Sequence, residues 1–204
     1  MSYTHDIFIS YRRHPETLAW IQQHFLPLLT LRVEMELGRT LTVFIDQQVE
    51  TGTSWPQALG TALGCSRTLI ALWTGNYLSS VWCSAELSHM VAREQEAQLR
   101  TAQHPHGVVI PAFIHDGHRF PAELGYMQRF EIQQCFNVRM APKSPRAEEL
   151  DAALAAQAPA IAACIEHAPA FRATWPQTAA EQMYARFHQS VEAVQTTVPR
   201  FTAP

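Results

Sequence analysis

The segment SSVWCSAEL (79–87) places a tryptophan, Trp82, and a glutamate, Glu86, one turn apart at the opening of a helix. At about 100° per residue, Cys83, Leu87, Met90 and Val91 form that helix's apolar face, and Glu86 falls at its margin on the side of Trp82. A carboxylate in such a place is half-sheltered. The helix start favours its charge, and it suits a group facing a crevice, where it can accept hydrogen bonds or meet positive charge. Its i+4 neighbour is Met90 rather than a lysine or arginine, and His89 at i+3 offers only a weak ion pair. On spacing alone, the plainer reading is a surface charge that stabilises the first helical turn.

Two further polar stretches invite the same question. SYRR supplies Ser10, Tyr11, Arg12 and Arg13, and the stretch around QQVETGTS supplies Asp46, Glu50, Gly52 and Trp55. Each also has a bland reading: solvated arginines at a strand end, and an aspartate closing a strand. Trp82 alone reads as core. The histidine-rich HPHG (104–107) and HDGH (115–118) bring His104, His106, His115, Asp116 and His118. They flank one predicted strand at opposite ends, so neither holds a full ligand set, and no metal site is expected. Asp116-Gly117 reads as a turn. No G-x-S-x-G elbow occurs. No G-x-G-x-x-G follows the first strand, which argues against hydride transfer with a bound dinucleotide.

The elements that must position these residues alternate along the chain. HDIFISY (5–11), TLTVFID (40–46), TLIALW (68–73), GVVIPAFI (107–114) and a part of RFEIQQCFN (129–137) read as strands. Between them, 14–38, 55–66, 81–99 and 146–168 read as helices. Pro27 is expected to kink the first and Gly38 to end it. Ser54 caps the second, Gly52 is free to take a positive φ, and Pro159 bends the last. TLIALW is apolar throughout, as expected of a central strand covered on both faces. Alternating strands and helices predict a five-stranded parallel sheet of flavodoxin-like order with helices on both faces. Residues 1–168 form this unit. Residues 169–204 are a linker and a C-terminal helical extension, whose helix (177–195) carries a stripe of Met183, Phe187, Val191 and Val194 that packs back on the domain or docks a partner.

In such sheets ligands bind beyond the carboxyl ends of the strands where strand order reverses, here between the first and third strands. SYRR, the Asp46–Trp55 stretch and the Trp82/Glu86 helix all fall on that edge.

Bulk properties narrow the partners. With 204 residues, 47% hydrophobic content and a net charge of −3, the chain builds a sizeable core and offers no basic field for nucleic acid or an acidic membrane. Four scattered cysteines without a CxxC pair fit free thiols in a reducing compartment. No signal peptide or bilayer-spanning run is expected, which places the protein in the cytoplasm.

Taken together, HDIFISYRR, VFID…TGTSWPQAL and CSRTLIALWTGNYLSSVWCSAEL resemble the Toll/interleukin-1 receptor (TIR) domain family over residues 5–140. The resemblance implies that Asp46–Trp55 is the family's loop after the second strand, with Asp46, Glu50 and Gly52 lining a substrate cleft that SYRR borders. It implies NAD+ as a substrate rather than a cofactor, Glu86 as the catalytic glutamate and Trp82 as an aromatic near the nicotinamide. The nicotinamide of NAD+ is already cationic at its glycosidic nitrogen and leaves neutral, so the carboxylate pair of ordinary glycosidases is not required. Glu86 then stabilises positive charge developing on the ribose, Trp82 stacks on the ring or excludes water, and Arg12 or Arg13 neutralises the diphosphate. Water, adenine or another nucleophile would give linear, cyclic or conjugated ADP-ribose. The resemblance, to the family's bacterial NAD-cleaving branch, further implies self-association and a role as an antiphage immune effector or signal generator. A second branch lacks the glutamate and serves as adaptors, and a sensor that binds nucleotide without cleaving it is a third reading.

Overall fold

Five strands pair side by side in the order β2-β1-β3-β4-β5, all parallel: β1 (His5–Tyr11), β2 (Val43–Ile45), β3 (Ser66–Trp73), β4 (Val109–Phe113) and β5 (Phe130–Glu131). The computed structural model describes residues 2–46, 55–116, 120–174 and 176–195. The expected flavodoxin-like α/β fold is therefore present. β3 lies at its centre and is buried along nearly its whole length, as its unbroken apolar run predicts.

Strand alternation divides the core into two layers. Ile7, Ile9, Ile70, Leu72 and Ile110 face one layer, built with α1 (Pro15–Trp20), α2 (Leu26–Leu37) and α5 (Pro145–Glu166). Phe8, Leu69, Ala71, Trp73 and Phe113 face the other, built with α3 (Trp55–Gly64), α4 (Val81–Glu96) and α6 (Gln177–Gln195). In the first layer Arg32 of α2 donates to Asp151 of α5 through two nitrogens, at 2.7 and 2.5 Å.

Several elements depart from their predicted bounds for identifiable reasons. The first helix does not simply kink at Pro27. Proline cannot donate to the carbonyl four residues back and its ring crowds it. The chain widens into a π-helical turn at Ile21–Phe25, where the Leu26 N–H donates to the Ile21 carbonyl. Gly38 then closes α2 in the left-handed conformation at φ 65°, as expected. β2 is shorter than 40–46 because its entry bonds elsewhere. The Thr42 N–H donates to the Asp6 carboxylate at 3.0 Å, and the Leu41 N–H to Glu34 at 2.8 Å. β5 keeps two residues before the chain tightens into a 3₁₀ turn at Gln133–Cys135. α4 stops at Glu96 because Gln98 and Arg100 take positive φ, 52° and 58°. α5 runs unbroken through Pro159.

α6 packs against α4 and against a 3₁₀ turn at Tyr77–Ser79. Met183 and Phe187 of the predicted stripe join the second core layer. Burying one such aromatic contributes roughly 1.5–3 kcal/mol. The side chains of Val191 and Val194 lie outside the described residues, as do Ser54, Gly117 and His118. All four cysteines are free thiols. Among the described residues, no helix is long and apolar enough to cross a membrane.

Candidate functional site

The crevice between the ends of β1 and β3 is occupied by the predicted residues. A cavity of about 220 Å³ opens there, lined by Ile9, Tyr11, Arg12, Arg13, Asp46, Ser80, Trp82, Cys83 and Glu86. That is below the roughly 300–1,000 Å³ of pockets that enclose whole drug-sized ligands. Glu50 and Gly52 of the expected cleft loop lie outside the described residues. Trp55 is the first residue of α3, and its side chain is not described.

Local chemistry explains how α4 delivers its residues. Ser80 caps the helix, accepting from the Cys83 N–H at 3.4 Å. The Ser84 hydroxyl donates to the Leu78 carbonyl at 2.8 Å, tying α4 to the Tyr77–Ser79 turn. Trp82 stands at the mouth, 37% exposed. Glu86 is more deeply placed than its margin position predicts, only 7% exposed. Periodicity could not reveal that β1 and the turn cover it from outside its own helix.

β1 sets its neighbours by alternation. Ser10 points to the α4 layer and Tyr11 to the opposite one. The Ser10 hydroxyl lies 2.5 Å from Glu86 Oε2 and 2.5 Å from the Tyr77 hydroxyl. The Tyr11 hydroxyl donates to the Asp46 carbonyl at 2.9 Å, and Arg13 forms an ion pair with the Asp46 carboxylate. Arg12 reaches the Asn76 carbonyl at 3.4 Å. Both arginines line the cavity.

Electrostatics single out Glu86. Burial pushes its carboxyl up to about 8; the Ser10 hydrogen bond opposes the shift, nearby Asp46 adds to it, and Arg13 counters. Its hydrogen-bond donor among the described residues is Ser10 alone. A carboxyl so desolvated gains most from a cation entering the cavity. Cys83 behaves oppositely. Burial, with Glu86 beside it, pushes its thiol up to about 12, so it lines the wall as a neutral group and not as a thiolate nucleophile.

Three residues at the site escaped sequence reasoning. Ser80 and Cys83 were legible only as neighbours of Glu86. Tyr77 sat in a stretch read as a plain loop, TGNYLSS; the one signal was a large aromatic among turn-forming residues. The histidine stretches stay apart. His115 pairs with Asp116 at 3.0 Å after β4, while His106 stacks on His167 before it. No group of three or more metal-ligating side chains occurs among the described residues.

Comparison with known proteins identifies the family. The TIR domain family profile matches residues 7–137. No curated protein matches the chain. Among solved structures, it is similar to the TIR domain of the Toll-related receptor TRR-2 from Hydra magnipapillata. The identity is 16%, with 65% of this chain and 92% of that chain covered and a TM-score of 0.42. It is also similar to the TIR domains of the activated Roq1 resistosome that recognises the pathogen effector XopQ. There the identity is 22%, with 76% and 84% covered and a TM-score of 0.38. With the family profile matching well over half of its length, this chain belongs to the TIR domain family.

Proposed function

We propose that this TIR domain cleaves the nicotinamide–ribose bond of NAD+, with Glu86 as its catalytic residue. The observation that carries the reading is a buried carboxyl on the cavity wall, desolvated and held by a single hydroxyl. The bond it addresses needs little help from an acid, because the leaving nicotinamide departs as a neutral molecule. The enzyme must stabilise the positive charge left on the ribose. A preorganised carboxylate in a water-poor site does this far more strongly than one in water. The same substrate cation favours ionisation of Glu86 when it binds, so the desolvation that raises the group in the free protein is relieved in the complex.

The other cavity residues have fitting parts. Trp82 covers the nicotinamide or seals the mouth. Arg12 and Arg13 face the diphosphate, with Arg13 exchanging Asp46 for phosphate oxygens. The small cavity fits the nicotinamide end of the substrate better than the whole dinucleotide. Glu50, Gly52 and Trp55 are proposed to complete the cleft, within one copy or between self-associated copies. On this reading NAD+ is consumed as a substrate by a cytoplasmic immune effector, and residues 1–168 are the catalytic unit. The immune role rests on family membership alone.

Concentrated full-length protein is expected to release nicotinamide from NAD+, and Glu86→Ala to lose that activity while keeping its fold. Equal release by the two proteins would end the proposal. The second reading is a non-catalytic adaptor that works through homotypic TIR contacts. The limited volume of the cavity favours it, and it predicts no turnover at any protein concentration.

A further inference from the structure

Tyr77, Ser10 and Glu86 come from three separate elements and meet in one buried line. Tyr77 is 0% exposed, Ser10 1% and Glu86 7%. The Ser10 oxygen sits 2.5 Å from both the Tyr77 hydroxyl and Glu86 Oε2. A serine hydroxyl carries one proton and can donate it in one direction only. Among the described residues, the Tyr77 hydroxyl has no hydrogen-bond partner besides Ser10. The large majority of buried polar groups share their protons, and a phenol is a strong donor. Tyr77 therefore donates to Ser10, and when Glu86 is ionised the Ser10 proton turns to its Oε2. The direction of the line follows from counting protons.

The phenol is well placed to stay fixed. Its ring lies 4.8 Å from that of Trp73 at an interplanar angle of 30°. Its turn is bonded at both ends: the Tyr77 N–H donates to the Thr74 carbonyl at 2.9 Å, and the Ser80 N–H to the Tyr77 carbonyl at 3.1 Å. Burial holds the phenol well above its ordinary value, so it remains a donor throughout the working pH range.

We infer that Tyr77 and Ser10 are positioning residues forming a directed donor chain, Tyr77 O–H to Ser10 O–H to Glu86 Oε2, that orients the glutamate and favours its ionised form. The assignment deepens the NAD+ cleavage reading and rests on it for its consequence in catalysis. The chain itself is independent of that consequence. Other groups also act on Glu86: Arg13 and Tyr11 from the end of β1, Asp46 after β2, and Cys83 on α4 itself. Ser10 also reaches the Cys83 thiol, so Ser10→Ala disturbs that contact too, whereas Tyr77→Phe reports on the chain alone.

The test uses the full chain and two readouts. Carbon NMR of the glutamate carboxyls between pH 5 and 10, with Glu86→Gln to identify the resonance, gives the ionisation midpoint without any substrate. Nicotinamide release over the same range gives the midpoint of kcat/KM. Ser10→Ala removes a hydrogen bond to a charged group, and both midpoints are expected to rise by roughly one to two pH units. Tyr77→Phe removes only the polarising donor, and both midpoints rise in the same direction by a smaller step, about half a unit. Any fall of the high-pH plateau reports lost orientation of Glu86, while the substrate-free NMR midpoint isolates the effect on ionisation. Ser10→Thr keeps the hydroxyl and keeps the wild-type midpoint. A merely structural role would lower activity at every pH and leave the midpoint where it was. An unmoved carboxyl midpoint in both Ser10→Ala and Tyr77→Phe would overturn the inference. If instead Glu86→Gln releases nicotinamide like wild type, the catalytic reading fails, and the NMR midpoints still decide the chain.

Discussion

α4 carries two buried glutamates, Glu86 and Glu94, set about 12 Å apart along one helix axis. Glu94 is enclosed by donors. Arg100 reaches it through Nε and Nη2, each at 2.9 Å, and the N–H groups of Val108 and Val109 donate to its Oε1 at 2.7 and 2.8 Å. Glu86 accepts from one hydroxyl and faces a cavity. The residue type, helix and depth are shared, so the difference lies in what surrounds each. A carboxylate met by four donors fastens the end of α4 to the start of β4. One left nearly unmatched and facing a cavity is available for a ligand. Burial alone does not mark a candidate site carboxylate; burial without matched donors beside a cavity does.

The comparison predicts opposite consequences for the two removals. Glu94→Ala strands the Arg100 guanidinium and two buried N–H groups. It is expected to cost about 3–5 kcal/mol, visible as a thermal midpoint lower by roughly 10 °C or more. Glu86→Ala strands no cation. It is expected to lower nicotinamide release by at least about 100-fold, with the thermal midpoint unchanged or raised. If Glu94→Ala folds as stably as wild type, or Glu86→Ala unfolds, the contrast drawn here is wrong.

A gentler probe sharpens the structural half. A Cβ on Gly107 would lie 2.3 Å from the Arg100 guanidinium carbon and 2.4 Å from Glu94 Oε1. Gly107→Ala must therefore push this ion pair apart. A loss of about 1–3 kcal/mol is expected, measured by urea unfolding. The ionisation of Glu86 is expected to stay put, because the two carboxylates do not share a donor.

How far the sequence could reveal these sites follows from the range of the contacts. The central strand was legible because burial on both faces writes an unbroken apolar run at β3. Glu86 was legible as a candidate because helix spacing places it beside the apolar face and next to Trp82. Glu94 was not: it reads as an ordinary polar residue of a charged helix end, since its matching donors come from a turn and a strand beyond it. Tyr77 was hidden for the same reason. Its hydroxyl partner, Ser10, is 67 residues away, and no local pattern records such a pairing. The short bounds of β2 were likewise invisible, because Asp6 and Glu34 take the N–H groups of Thr42 and Leu41. Periodicity reports each element's own faces, and the site is assembled from what other elements bring to them.

The pH dependence of stability is the most specific expectation. The Glu86 carboxyl is raised from 4.5 to about 8 in the folded protein by burial. The native state therefore holds a proton that the unfolded chain has released over this interval. Stability contributed by that proton is complete below pH 4.5, declines above it, and is lost as pH passes through about 8. Glu86→Gln is neutral at every pH and cannot follow this decline. Measured by urea unfolding, the variant's stability relative to wild type should rise from acid to alkaline pH, by up to about 4 kcal/mol between pH 5 and 9. Glu94→Gln should instead lose stability throughout the range, because an amide cannot accept from all the donors that Arg100, Val108 and Val109 present. A constant difference between Glu86→Gln and wild type across that range would mean that the unmatched carboxyl is charged in the free protein, and the contrast between the two glutamates would then have to rest on access to the cavity alone.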